Sequence, residues 1–184
     1  RLLHGRQFVL GGMVGEFESA FASYVGTRHC ITVASGTDAI EIALRALACE
    51  GREVLVVANA GGYGTISCLA IGAIPIFVDI EKTSLLVSID SVVDLVSERT
   101  GAIVVTHLFG LAVDCTKIDK SVRAKLGRSV PIIEDCAQAH GAKVGKIRAG
   151  AQATIACFSF YPTKNLGALG DGGAITTNDN ELAE

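Results

Sequence analysis

One lysine stands in a setting that suits covalent chemistry. Lys164 lies in the loop 159–167 (SFYPTKNLG), which follows the apolar segment TIACFSF and leads into Gly170-Asp171-Gly172-Gly173. A lysine amine that attacks a carbonyl must be neutral, and a partly desolvated loop favours the neutral form. A solvent-facing lysine is the alternative, which the neighbouring hydroxyl and amide side chains and the glycines make less favourable. The loop therefore predicts an amine nucleophile, with Ser159 as a candidate phosphate contact.

A pair of acids ends a second apolar segment. Glu134 and Asp135 close VPII and are followed by CAQAHG. A carboxylate at this point can pair with the protonated nitrogen of a heterocycle, and holding that proton makes the ring an electron sink. The alternative is an acid that only caps the next helix. Gln138, one helical turn later, is a candidate support for such a ring or for a hydroxyl on it.

A third segment could receive phosphate. Ser35-Gly36-Thr37 stand between an apolar run and a predicted helix. Gly36 lets the backbone approach a ligand, the start of the helix offers free N–H groups, and the Thr37 hydroxyl can donate. An ordinary helix cap is the alternative, and we predict Thr37 or Asp38 as that cap.

A tyrosine follows a fourth apolar segment. Tyr63 comes after Asn59-Ala60-Gly61-Gly62. Its ring could lie against a planar heterocycle, or it could simply pack against the core. The residues leave both interpretations open.

Apolar runs alternate with helical patterns along the chain. Helices are predicted at 16–26, 39–48, 61–73, 89–98 and 116–126. The predicted strands are HCITVAS, EVLVVA, PIFVDI, AIVVTHLFG, VPIIEDC, TIACFSF and GGAITTN. Strands without polar alternation, separated by helices, indicate an α/β fold: a mostly parallel sheet covered on both faces, in three layers. Ligands of such sheets bind at the carboxyl ends of the strands, where all four segments fall.

Composition narrows the function classes. A formal net charge of −3 and a pI near 5.8 offer no basic surface for nucleic acid or an anionic membrane. No apolar run reaches the length of a spanning helix, and residues 1–12 lack signal-peptide features, so a soluble, cytoplasmic protein is expected. The six scattered cysteines are predicted to be reduced core residues rather than metal ligands or disulfides, and no metal site is predicted. His29, His107 and His140 are interpreted as structural.

The segments SGTDA, NAGGY, EDCAQAHGA and SFYPTKNLGALGDGGA, in this order, resemble the DegT/DnrJ/EryC1/StrS family of sugar aminotransferases. The resemblance runs through almost the whole chain. It implies the large domain of the pyridoxal 5'-phosphate (PLP)-dependent transferase fold (fold type I). It also implies transfer of an amino group, usually from glutamate, to a keto sugar carried on a nucleoside diphosphate, by a homodimer.

The resemblance assigns roles to individual residues. Lys164 matches the lysine that bonds covalently to the cofactor, and Asp135 matches the partner of its pyridine nitrogen. Gln138 matches the glutamine beside the ring. Because related sugar dehydratases carry His at the lysine position, Lys164 favours amino transfer. The rivals are a PLP enzyme of the same fold that dehydrates or aromatizes its substrate, and a non-catalytic regulator that binds cofactor or sugar nucleotide.

Gly36, Thr37 and Ser159 match phosphate contacts of the family. The family commonly has an aromatic residue soon after a proline, where this chain has the segment 57–61 (VANAG), so the stacking role passes to Tyr63. Family members also continue into a small C-terminal domain. Residues 1–184 are therefore expected to be an incomplete PLP-binding domain that lacks its N-terminal end and the small domain.

Overall fold

A seven-stranded sheet forms the centre of the computed structural model, which describes residues 10–184. Its strand order is β1-β9-β8-β5-β4-β2-β3, and a separate hairpin joins β6 to β7. The strands are β1 His29–Val33, β2 Glu53–Val57, β3 Ile74–Val78, β4 Thr100–Thr106, β5 Ile132–Asp135, β6 Lys143–Val144, β7 Ile147–Arg148, β8 Ile155–Ser159 and β9 Gly173–Thr177.

Within the described residues, five α-helices cover the two faces of the sheet. They are α1 Gly12–Val25, α2 Gly36–Ala46, α3 Tyr63–Ala70, α4 Ile89–Leu95 and α5 Cys115–Leu126. Helices α2 and α3 pack on one face, with the side chains of Val54 and Val56. Helices α4 and α5 pack on the other face, with those of Leu55 and Val57, and α1 covers the same face at the β8 end. The predicted three-layer α/β/α fold is confirmed.

The apolar residues of α2 explain how it packs. Ala39, Ile40, Ala43 and Leu44 recur at helical spacing and are all buried. They form one stripe that faces the sheet. Complete burial of a side chain such as Leu44 contributes about 1.5–3 kcal/mol to folding. The packing of this stripe fixes the start of α2 against the ends of β1 and β8.

The sheet is mostly parallel but ends in two antiparallel pairs. Strands β3, β2, β4, β5 and β8 run parallel, whereas β9 pairs antiparallel with both β8 and β1. The end of β8 therefore lies beside the beginning of β9. This places the two ends of the glycine-rich connection 160–172 at the same edge of the sheet.

The predicted bounds of α2 and its predicted cap need correction. The helix predicted at 39–48 runs from Gly36 to Ala46, and the predicted caps, Thr37 and Asp38, are wrong. Ser35 is the cap: its Oγ accepts the Asp38 N–H at 3.1 Å and donates to the Asp38 carboxylate at 2.8 Å. A serine oxygen before the first turn satisfies a helix N–H that has no intrahelical partner.

All six cysteines are free and buried, as predicted. Burial raises the pKa of Cys30 and of Cys68 to about 12, which keeps both thiols protonated. Within residues 10–184, no helix combines the length and apolar character needed to cross a bilayer. The interpretation that the N-terminal segment lacks a signal peptide falls largely on residues 1–9, outside the described part.

Candidate functional site

A cavity of about 370 Å³ opens at the carboxyl edge of the sheet. Elements that lie far apart in the sequence meet around it, namely the start of α2, the start of α3, the end of β5 and the loop after β8. The lining residues are Ser35, Gly36, Thr37, Ile40, Tyr63, Asp135, Ala137, Ser159, Tyr161, Thr163, Lys164 and Asp171. Six of the seven site residues predicted from the sequence therefore share one cavity.

The start of α2 and the end of β8 form one wall. A Cβ added at Gly36 would lie 2.7 Å from the Ser159 Cβ, so only glycine allows the two backbones to approach this closely. A side chain at Gly173 would overlap the Ser35 carbonyl in the same way. The free N–H groups of the α2 N-terminus and the hydroxyls of Thr37 and Ser159 thus meet at one place. Such a group of donors is suited to an anion.

Asp135 forms the buried floor of the cavity. Its carboxylate is only 6% exposed and accepts hydrogen bonds from the Thr106 hydroxyl at 3.2 Å and the Ala137 N–H at 3.1 Å. Burial raises the pKa of Asp135, and these hydrogen bonds and the charge of Lys164 offset that rise only in part. Within residues 10–184, no lysine, arginine or histidine forms an ion pair with this carboxylate.

Lys164 enters the cavity from the loop after β8. The loop is folded by three backbone hydrogen bonds, in which Lys164 donates to Tyr161, Ala168 to Phe160, and Phe160 to Gly172. Lys164 is half-buried, while its neighbours in the loop are exposed. Lys164 is therefore less exposed than the solvent-facing lysine of the alternative interpretation.

Tyr63 begins α3 and contributes its ring to the cavity while remaining 54% exposed. The Gly61 Cα lies under that ring: a Cβ added there would stand 3.3 Å from a ring carbon. Gly61 and Gly62 both have positive φ, which turns the chain sharply into the helix. A core position for Tyr63 is excluded by its exposure.

Gln138 is the predicted residue that lies outside the cavity lining. Its side chain is exposed, and its carbonyl oxygen accepts the Phe109 N–H at 2.9 Å. The lining residues that were not assigned a role from the sequence include Tyr161, Thr163 and Asp171. The glycines on both sides of Asp171 were the sequence feature that could have indicated its place in the site.

A family model described as the DegT/DnrJ/EryC1/StrS aminotransferase family matches residues 1–184. The chain belongs to this family. It is 44% identical over 177 residues to the dTDP-3-amino-3,4,6-trideoxy-alpha-D-glucose transaminase of Micromonospora megalomicea subsp. nigra, covering 95% of this chain and 46% of the relative. It is 43% identical over 185 residues to the dTDP-3-amino-3,6-dideoxy-alpha-D-galactopyranose transaminase of Aneurinibacillus thermoaerophilus, covering 100% and 50%.

The fold matches solved structures of similar proteins. The X-ray structure of S. venezuelae DesV, described as a complex with a ketimine intermediate, has a TM-score of 0.92 and 38% identity. The match covers 100% of this chain and 49% of that chain. The chain thus spans about half the length of the relatives that it matches.

In this family member, the acid next to Asp135 has a different environment. Glu134 is fully buried on the opposite face of β5, where it accepts hydrogen bonds from His107 Nε2 and from the N–H groups of Gly150, Gln152 and Ala153, at 2.8–3.0 Å. His107 Nδ1 accepts the Val113 N–H at 3.0 Å, which leaves the ring proton on Nε2. His107 is therefore a structural residue, as predicted.

The same interior holds a group of metal-ligand types. Donor atoms of His107, Cys115 and Glu134 lie within 4.8 Å of one another. Both ring nitrogens of His107 and both carboxylate oxygens of Glu134 are already hydrogen-bonded, and burial strongly raises the pKa of Cys115. The group is best described as a hydrogen-bonded structural cluster.

Proposed function

We propose that the full-length protein is a PLP-dependent aminotransferase that moves an amino group, usually from glutamate, to a nucleotide-linked keto sugar. The observation that carries the proposal is that Lys164, Asp135 and the start of α2 line one cavity. An amine, a buried carboxylate and an anion-binding helix start are the groups that PLP requires of a protein.

The chemistry of Asp135 supports the cofactor. A buried carboxylate is costly unless it meets a cation, and burial raises the pKa of this one. A protonated pyridine nitrogen is a cation of suitable size. Asp135 would hold the proton on that nitrogen, with Thr106 and Ala137 fixing the carboxylate.

The opposite wall suits the phosphate of the cofactor. Gly36, Thr37 and Ser159 would bind it through backbone N–H groups and hydroxyls. The close contact of Gly36 with Ser159 supports this role, since a larger residue would push the two donors apart. Tyr63 would stack on the cofactor ring. Gln138 would act on the ring only indirectly, because its side chain accepts the Phe109 N–H and so holds the turn after β4.

When bound, PLP supplies an electron sink for the negative charge that develops at the donor carbon. Lys164 would bind the cofactor covalently at rest. Once released by the amino donor, its amine would move a proton between the donor's α-carbon and the C4′ position of the cofactor. The half-buried position of Lys164 limits access of water to that amine.

The names of the relatives support the substrate class, because both act on dTDP-linked amino sugars. Lys164 at the position where related dehydratases carry His favours amino transfer over dehydration. We include two further parts of the proposal. The six free thiols favour a reducing compartment, the cytoplasm. An exposed apolar surface on α2, α3 and β3 favours a homodimer.

That apolar surface comprises Ile42, Ile66, Leu69 and Phe77, each 44–64% exposed. It is continuous with Tyr63, which begins α3 and lines the cavity. Contiguous apolar surface of this kind is typical of protein interfaces. A second copy seated here would lie beside the cavity. Light scattering of the full-length protein should give twice the chain mass, and Leu69→Glu should give a monomer; a monomeric wild type contradicts this part.

The function is tested by spectroscopy of the full-length protein loaded with PLP. We expect an absorption band in the visible region that bleaches when glutamate is added. Borohydride should then fix the cofactor to Lys164, as peptide mass spectrometry would show. Lys164→Arg should abolish both results, and Lys146→Arg, in the exposed turn of the β6–β7 hairpin, is the matched control.

Three outcomes would decide against the proposal. A band that glutamate does not bleach would indicate other chemistry on the same fold. Absence of PLP binding would indicate a non-catalytic relative. Labelling of another lysine would remove Lys164 from its role.

A further inference from the structure

The turn after β4 presents an exposed aromatic ring on an unfavourable backbone. Phe109 lies in the 3-10 turn Leu108–Gly110 with φ 56° and ψ 23°, in the left-handed region. Residues with a Cβ rarely adopt this conformation, and glycine does so without penalty. Phe109 is also 68% exposed, so packing in the described structure does not compensate. Neither backbone geometry nor core burial therefore explains a phenylalanine here.

Three side chains from β5 and the turn that follows it hold this region in place. Asp135 accepts a hydrogen bond from Thr106, Glu134 from His107, and Gln138 from the Phe109 N–H. The last bond, at 2.9 Å, fixes the backbone of the residue with positive φ. The backbone that carries the Phe109 ring is thus held by the same part of the chain that supplies the floor of the cavity. Strained backbone conformations that the surrounding structure maintains are concentrated at functional positions.

The position of the turn indicates what the ring contacts. Strands β4 and β5 are neighbours, with Thr106 paired to Asp135, so the turn lies at the same sheet edge as the cavity. A volume of about 370 Å³ is at the lower end of the range for small-molecule pockets. A sugar nucleotide that reacts in the cavity beside a cofactor must extend beyond it, across this edge.

We infer that Phe109 is a specificity-determining residue for the amino acceptor, against which its ring packs, and that Gln138 is the positioning residue that holds Phe109 there. This inference rests on the proposed function. Two parts of a sugar nucleotide could contact the Phe109 ring, because a hexose ring and a nucleobase both offer a flat face of low polarity to an aromatic side chain. Glutamate has no such face, so the donor should not depend on Phe109.

The test separates the two half-reactions in the full-length, PLP-loaded protein. The acceptors to be tried are dTDP- and UDP-linked 3-keto hexoses, and the one with which the wild-type protein reacts faster is used for all variants. Phe109→Ala should lower kcat/KM for the acceptor about ten-fold, mainly through KM, and leave the glutamate half-reaction within about two-fold. Phe109→Tyr should restore the acceptor kinetics. Leu111→Ala, at an exposed residue with ordinary backbone two positions later, should change neither half-reaction.

A second variant tests the strain independently. Phe109→Gly should impair the acceptor reaction as alanine does, yet raise Tm by about 2–4 °C because glycine relieves the left-handed backbone. Gln138→Leu, which removes the acceptor of the Phe109 N–H, should raise KM for the sugar substrate by a larger factor than it changes the glutamate half-reaction. Inhibition by the free nucleoside diphosphate and by a sugar 1-phosphate then shows which flat face the ring contacts, since only the affected ligand should weaken in Phe109→Ala.

The results that overturn the inference are distinct from those that overturn the function. If wild-type protein reacts with glutamate but Phe109→Ala leaves acceptor kinetics unchanged, the inference fails and the function stands. An equal fall in both half-reactions, or loss of the dimer in Phe109→Ala, would assign Phe109 a structural role. A wild type without a glutamate half-reaction would remove both.

Discussion

Two acids that are adjacent in the sequence serve two different regions of the molecule. Glu134 points into the interior on the α5 side, where every oxygen meets N–H donors and the side chain is fully buried. Asp135 points to the α2 side, into the cavity, with two hydrogen bonds and a raised pKa. Successive residues of a strand face opposite sides of the sheet, and this alternation alone separates them.

The difference shows how a fold can hold one carboxylate for stability and leave its neighbour available for chemistry. Glu134 satisfies the N–H groups of the segment 150–153 and so fixes the approach to β8. The Asp135 carboxylate remains available to pair with a cation in the cavity. The predictions below test whether stability and activity divide between these two residues.

The largest effect is expected at the interior acid. Glu134→Ala leaves the buried His107, one buried N–H group and two partly buried N–H groups without this partner, which should lower the free energy of unfolding by about 3–5 kcal/mol. Denaturant unfolding of the full-length apoprotein measures this change. Glu50→Ala, at an exposed acid, is the control and should change stability by less than about 0.5 kcal/mol. An unfolding midpoint near wild type for Glu134→Ala would contradict the comparison.

The cavity acid should affect rate rather than stability. Asp135→Asn keeps the size of the side chain and removes its charge, and we expect kcat/KM to fall about 10²–10³-fold with the thermal midpoint little changed. Steady-state kinetics of the PLP-loaded protein measure the loss. Asp171→Asn makes the same change at an exposed lining residue and should cost less. If the two variants lose activity equally, the buried carboxylate has no special role.

The smallest effect is a pH dependence of apoprotein stability. Burial raises the folded-state pKa of Asp135 above its ordinary value of 3.8. Between 3.8 and the raised pKa the folded state binds more protons than the unfolded state, so this residue's contribution to stability falls as pH rises through that window. The free energy of unfolding of Asp135→Asn, relative to wild type, should therefore increase as the pH rises from 3.8 through the raised pKa of Asp135. A constant difference would show that Asp135 titrates as an exposed acid does.

Much of the fold was predictable because its strands are continuous apolar runs. The α/β class, the family and the helix end at Gly26 are confirmed. The antiparallel pairing of β9 with β1 and β8 was not predicted, since apolar content does not specify strand partners. The short β6–β7 hairpin was also missed, because two-residue strands carry no periodic signal.

The candidate site was predicted where a residue ends a strand or starts a helix. Gly36 and Asp135 follow this rule, whereas Lys164 lies in the loop after a strand, and all three line the cavity. Gln138 was placed by counting one helical turn from Asp135, but a turn follows β5 and carries the Gln138 side chain to the Phe109 N–H. The role of Phe109 could not be predicted, because its left-handed backbone depends on a tertiary hydrogen bond.

The close contacts of Gly36 with Ser159 and of Gly173 with the Ser35 carbonyl have a consequence for how the protein matures. The anion-binding wall is built from segments near opposite ends of the described chain, and pairings of such long sequence separation form slowly. During synthesis, the segment around Gly36 cannot form these contacts until the segment from Ser159 to Gly173 has been made. Cofactor capture should thus follow the assembly of the parallel strands.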